Sequence, residues 1–121
     1  MNDINKITLI GTGLIGASLG LAIKKFIPSI EIIGFDSDKK NLTYSKNIKA
    51  IDHTALSIEN SVINSELVIV SVPIREMKDI FLKIKDVVRK NCIISDTGST
   101  KKDVLEWSEE IFSNEVNFVG G

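Results

Sequence analysis

Three glycines stand in the run Gly11-Thr12-Gly13-Leu14-Ile15-Gly16, where an apolar stretch, Ile7 to Ile10, gives way to an apolar, helix-compatible one, Leu14 to Phe26. Gly-x-Gly-x-x-Gly alone is unspecific, but a strand, a glycine turn and a helix in that order form the context in which it cradles a dinucleotide. Gly11 permits a tight turn out of the strand, Gly13 lets a pyrophosphate approach the backbone, and Gly16 lets the helix pack against the strand. The free N–H groups of the helix, at the positive end of its dipole, then face the phosphates. Thr12, Leu14 and Ile15 share that turn and are assigned with the glycines to the cofactor. Asp36 gives a second chemical signal, about 20 residues beyond Gly16 at the end of the apolar run Glu31–Phe35. A carboxylate at that spacing accepts hydrogen bonds from the adenosine ribose and repels a 2′-phosphate, so NAD is expected over NADP. Ser37 joins it in the same loop. Lys39 and Lys40 follow closely and could soften the choice; no arginine does.

Asp96-Thr97-Gly98-Ser99 admits other chemistry. Taken alone it matches the Asp-Thr-Gly of aspartic proteases, which need two carboxylates sharing a proton. Those proteases are built of β-strands, whereas residues 74–88 and 101–112 carry helical patterns. A loop facing the cofactor fits better, its hydroxyls and N–H groups near the nicotinamide or a substrate carboxylate. A capped turn without a ligand explains the same residues, since Thr100 and Asp103 have the spacing of a capping box. His53, the only histidine, lies among loop-like residues with no neighbour supporting acid–base work and reads as an ordinary surface or loop side chain. Trp107 reads as packing. No metal site is assigned.

These residues need elements to position them. Hydrophobic periodicity predicts strands over Lys6–Ile10, Glu31–Phe35, residues 51–55, 66–72, 92–96 and 116–119. Helices are predicted over Leu14–Phe26, residues 39–46, 58–63, 74–88 and 101–112. Leu19, Ile23 and Phe26 of the first helix can face the sheet, with Ala17 and Gly20 keeping it slim where it crosses the strand. Met77, Phe81, Ile84 and Val88 form the apolar stripe of the fourth. The second strand is apolar throughout, as one buried on both faces should be. This order is βαβαβ twice over, the plan of a Rossmann-type, doubly wound, mainly parallel α/β sheet with helices on both faces. Ligands bind such sheets outside the carboxyl ends of the strands. The loops there are residues 11–16, 36–38, 71–74, 96–101 and 120–121, which adds Ser71, Val72 and Pro73 to the cofactor set.

The totals agree with one ordinary domain over residues 1–121: 43% of the chain is hydrophobic and 26% charged, a soluble globular balance. A formal net charge of −1 gives no basic excess to draw nucleic acid or an anionic membrane. No apolar run approaches the roughly 18–20 residues of a span, and the N-terminus lacks a signal-peptide layout. The single Cys92 excludes an internal disulfide, fits a reducing compartment and reads as a small buried side chain. Cytoplasm is the expected location.

Several segments together resemble the N-terminal domain of the prephenate dehydrogenase family, in which arogenate dehydrogenase is a close relative. They are Ile10-Gly-Thr-Gly-Leu-Ile-Gly-Ala-Ser-Leu19, Ile33-Gly-Phe-Asp36, Ala50-Ile-Asp52, Ser71-Val-Pro73, Asp96-Thr-Gly-Ser-Thr-Lys101 and Phe118-Val-Gly-Gly121, in the family's order over nearly the whole chain. The resemblance implies NAD-dependent oxidative decarboxylation of prephenate to 4-hydroxyphenylpyruvate in tyrosine biosynthesis, by a homodimeric parent acting on prephenate or arogenate. Ser99 matches a family serine near the nicotinamide and is the catalytic candidate, as a helper in positioning. Lys101 matches too, although a helix-start or surface role explains it equally. The family's histidine follows the Gly-Gly pair directly, and the sequence ends at Gly121. The resemblance therefore implies a dinucleotide-binding domain without the catalytic histidine and helical second domain, one that binds NAD and does not turn over prephenate. Two alternatives stand beside it: another small NAD(P)-dependent dehydrogenase of the β-hydroxyacid or imine-reductase type, and a non-catalytic NAD-binding module.

Overall fold

A computed structural model of the chain describes residues 4–97, 101–112 and 117–119. Strands and helices alternate: β1 (Lys6–Ile10), α1 (Leu14–Phe26), β2 (Glu31–Phe35), α2 (Lys39–Asn47), β3 (His53–Thr54), α3 (Ile58–Ser61), β4 (Leu67–Val70), α4 (Ile74–Ile84), β5 (Ile93–Asp96), α5 (Lys101–Ile111) and β6 (Asn117–Val119). The strands form one sheet in the order β3-β2-β1-β4-β5-β6, and every pair is parallel. This is the open Rossmann-type sheet expected from the sequence. The strand order reverses between β1 and β4, and ligands bind at that switch point.

Side chains alternate across the sheet, and the two faces hold separate cores. Ile7, Leu9 and Ile32 pack with Ile30, Ile51, Ile23 of α1 and Leu42 of α2. On the other face Ile10, Val68, Val70 and Ile94 meet Met77, Ile80, Phe81 and Ile84 of α4 and Val104 of α5. The Phe81 ring lies 5.1 Å from that of Phe112 and 5.6 Å from that of Phe118. Trp107 packs against this second core. Cys92 is buried, and burial pushes its thiol up to about 11, which leaves it a packing group rather than a nucleophile. Thr8 is buried as well; its hydroxyl donates to the Ser61 carbonyl and is bonded to the Ser65 hydroxyl, fixing the turn that leads into β4.

Several elements differ from the sequence reading. The fourth helix stops at Ile84 instead of residue 88, where the Val87 N–H takes the tighter i−3 bond to the Ile84 carbonyl; its buried stripe also includes Ile80. The strand expected over 66–72 contracts to Leu67–Val70, while Glu66 and Ser71 still donate to Lys6 and Ile10 carbonyls beside it. The third strand shrinks to His53–Thr54, and α3 ends at Ser61. β2 is not buried on both faces: Ile32 and Gly34 are buried, but Ile33 and Phe35 are half-covered, since only the four-residue α3 packs on that face. Phe26, expected to face the sheet, is 79% exposed. The buried residues of α1 are Gly16, Ala17 and Gly20, continued by Ile23, and Phe26 at the last position lies off that line. Gly20 meets the backbone before β3 rather than a strand: a Cβ there would lie 2.2 Å from the Ala50 carbonyl oxygen. Residue 116 of the last predicted strand lies outside the described residues. Asp38 is the N-cap of α2 and accepts from the Lys40 N–H. Among the described residues no helix is long and apolar enough to cross a membrane.

Candidate dinucleotide cleft

The turn from β1 into α1 is closed from below and open above. Gly11 has φ +95°, and a Cβ there would lie 2.1 Å from the Ser71 carbonyl oxygen. A Cβ on Gly16 would lie 2.0 Å from the Gly11 carbonyl oxygen. Both glycines are demanded by the chain's own backbone. Gly13 is different. Its φ of −70° and ψ of −160° suit any L residue, and a Cβ would meet only Asn41 Nδ2, at 3.8 Å. Nothing in the described chain needs a glycine there. Gly13 is the N-cap of α1 without a side-chain cap, and the first turn carries no acid, so the leading N–H groups and the positive pole of the helix remain available to an anion.

Asp36 is tied into this turn. Its Oδ2 accepts from the Thr12 N–H at 2.8 Å and the Thr12 hydroxyl at 3.2 Å, and its Oδ1 accepts from the Asp38 N–H at 2.8 Å. A carboxylate offers about four lone-pair sites, so one on Oδ1 stays available. The Ser45 hydroxyl donates to the Thr12 carbonyl at 2.9 Å. Thr12, 1% exposed, is thus a buried clasp.

Two of the clefts beside the turn also reach the loop after β4. One, of about 530 Å³, lies between the Asp36 loop and α4. The other, of about 510 Å³, lies between the first turn of α1 and Thr97. Gly13, Ser71, Val72 and Pro73 border both. Gly11, Asp36 and Ser37 line the first; Leu14, Ile15 and Gly16 line the second. Leu14 and Ile15 are 87% and 58% exposed at its mouth. The Thr97 hydroxyl donates to Ser71 Oγ at 3.1 Å, linking the loops after β4 and β5. Ser99 lies outside the described residues, as do Gly98, Thr100, Gly120 and Gly121; Lys101 is placed only as the first residue of α5. Asp96 ends a strand of a parallel sheet between helices, which removes the protease reading.

His53 lines neither cleft. Its Nε2 lies 3.1 Å from Glu31 Oε2, at the amino end of β2, so it has a charged neighbour the sequence did not reveal. Beside it Asp52 accepts from the Ile32 N–H at 2.8 Å and from Lys24 Nζ at 2.9 Å. Burial pushes the Asp52 carboxyl up, but the Ile32 N–H, the Lys24 ammonium and His53 outweigh it and leave it below its usual value. Lys39 and Lys40 line neither cleft, whereas Asn41 and Arg75 line the first. Arg75 lies off the apolar stripe predicted for its helix, so the periodicity did not single it out. Its place two residues beyond Pro73, beside the loop already assigned to the cofactor, was the signal that would have found it.

An all-parallel sheet with an uncapped glycine turn and a strand-end acid at its switch point defines a dinucleotide-binding domain. Comparison with known proteins narrows the class. Residues 19–121 match the family described as prephenate dehydrogenase, nucleotide-binding domain. The chain is 32% identical over 120 residues to a prephenate dehydrogenase of Lactococcus lactis, covering 98% of this chain and 33% of that protein. It is 32% identical over 123 residues to a prephenate dehydrogenase of Bacillus subtilis, with 100% and 33% covered. A crystal structure of prephenate dehydrogenase from A. aeolicus, in complex with hydroxyphenyl propionate and NAD+, superposes with a TM-score of 0.87 at 22% identity, over 98% of this chain and 41% of that one. The chain belongs to the prephenate dehydrogenase family and corresponds to its nucleotide-binding domain. It spans about a third of the length of the curated relatives it matches.

Proposed function

We propose that these 121 residues bind NAD and serve an enzyme that oxidatively decarboxylates prephenate, or its close relative arogenate, in tyrosine biosynthesis. The observation that carries the reading is the open space over Gly13. It lies where the two clefts meet, at the uncapped end of α1, and a Cβ there would obstruct nothing in the described chain. A pyrophosphate fits that space and accepts from the leading N–H groups of α1. Asp36 takes an adenosine ribose hydroxyl on its remaining Oδ1 lone pair, with the Thr12 and Asp38 N–H groups fixing its orientation. Its negative charge disfavours a 2′-phosphate. Leu14, Ile15, Val72 and Pro73 give the second cleft an apolar wall that keeps water from a nicotinamide, and Ser71 and Thr97 supply hydroxyls at its floor. Bound NAD would supply the hydride acceptor. Ser99 is assigned to positioning beside the nicotinamide. The relatives carry about two thirds of their length outside the match, and we assign substrate carboxylate binding, the proton-accepting histidine and dimer contacts to that part.

Calorimetry on the 121-residue polypeptide tests the cofactor half. NAD+ binds, and NADP+ binds at least tenfold more weakly; absence of NAD+ binding at millimolar concentration sinks the reading. The same polypeptide releases no NADH from prephenate, and steady NADH production would overturn the division of labour. The family relationship favours this function over that of a β-hydroxyacid or imine-reductase enzyme.

A further inference from the structure

The wall of the first cleft opposite Asp36 is made by α4. Arg75, Asp79 and Lys83 recur every four residues and all line the cleft, so one stripe of the helix faces it. Their charges are not equally committed. Asp79 pairs with Lys83, one turn further on, at 3.4 Å. Arg75 makes no ion pair among the described residues and is exposed. It also stands in the first turn of α4, where a cation opposes the helix dipole. A cation placed there, unpaired and at the edge of a nucleotide cleft, is poorly explained by helix stability. A guanidinium is flat and weakly hydrated, and it lies parallel on ring systems in a way that the compact ammonium of lysine cannot match.

Resting on the nucleotide-binding reading above, the geometry points to Arg75 as the residue that covers the adenine. Its guanidinium lies flat on one face of the base, while Asp36 on the facing wall holds the ribose. The cleft thereby selects an adenine dinucleotide from both sides, and Arg75 acts through the plane of its side chain as well as its charge.

The test measures dissociation constants of ADP and NAD+ for the 121-residue polypeptide and for R75A and R75K, with thermal melts alongside. R75A weakens both ligands by the same factor, about tenfold, which places the contact on the half they share. R75K, which keeps the charge and loses the plane, recovers little of that loss, and both variants melt as the parent does. Unchanged ADP affinity in R75A overturns the assignment. Full recovery in R75K also overturns it, because the contact would then be a simple charge on a phosphate. Failure of the unsubstituted polypeptide to bind ADP would instead remove the reading beneath it.

Discussion

The three glycines of the turn have separable jobs, and alanine substitution should pull them apart. At Gly11 an alanine must hold φ near +95°, a strain of about 1–3 kcal/mol. Its Cβ would also sit 2.1 Å from the Ser71 carbonyl oxygen, and displacing packed backbone costs a similar amount. Together Gly11→Ala should cost about 3–5 kcal/mol, a large share of the ~5–15 kcal/mol that holds a domain folded. For a domain of this size that is a fall in Tm of roughly 10–20 °C. Gly16→Ala carries no φ strain but faces a backbone oxygen at 2.0 Å, so it should cost about 1–3 kcal/mol. Gly13→Ala meets nothing closer than 3.8 Å. Reduced freedom of the unfolded chain favours it by about 0.4–1 kcal/mol, and the poorer N-cap opposes it by a similar amount, so its Tm should stay within about 4 °C of the parent. The methyl instead displaces the phosphates, and losing one charge-assisted hydrogen bond of about 1.5–3 kcal/mol raises the NAD+ Kd at least tenfold. Differential scanning calorimetry and titration calorimetry on the same three variants decide the matter. Parental NAD+ affinity in Gly13→Ala, or a parental melting temperature in Gly11→Ala, refutes the reasoning.

Two further substitutions follow from burial and charge. Phe26→Ser should change stability by less than about 0.5 kcal/mol because the ring is exposed, whereas Phe81→Ala should cost about 3–5 kcal/mol; urea unfolding midpoints compare them. Asp52 has a folded carboxyl below its usual value, so the stability it contributes is fully present above pH ~4 and is lost as pH falls through the lower, folded value. Asp52→Asn should therefore flatten the acid limb of the stability profile below pH ~4, and an unaltered acid limb counts against the Lys24–Asp52–Ile32 arrangement.

The fold was legible because its strong signals are local. A period-2 or continuous apolar run bounded by turns marks each of β1, β2, β4 and β5, and the glycine turn fixes where β1 becomes α1. What the sequence hid is what depends on neighbours. Phe26 looks like a core residue until Gly16, Ala17 and Gly20 turn the face of α1 away from it. Arg75 looks like one more charge on an amphipathic helix until the sheet order brings α4 opposite Asp36, some 39 residues earlier in the chain. The charged partner of His53 likewise comes from β2 and could not be read from its own surroundings. Gly13 shows the reverse: the pattern named it, and only the geometry shows that the folded chain alone would not require it.

The clasp between Asp36 and Thr12 bears on any attempt to redesign cofactor preference. Replacing the acid by a small neutral residue is the obvious way to admit a 2′-phosphate. Here the same carboxylate satisfies the backbone N–H of a residue 1% exposed, and an orphaned buried donor costs about 1–3 kcal/mol. A switch built on Asp36 alone would therefore loosen the loop while changing its ligand. A productive redesign has to supply a substitute acceptor for Thr12 in the same step, such as a serine hydroxyl, before adding a cation for the extra phosphate.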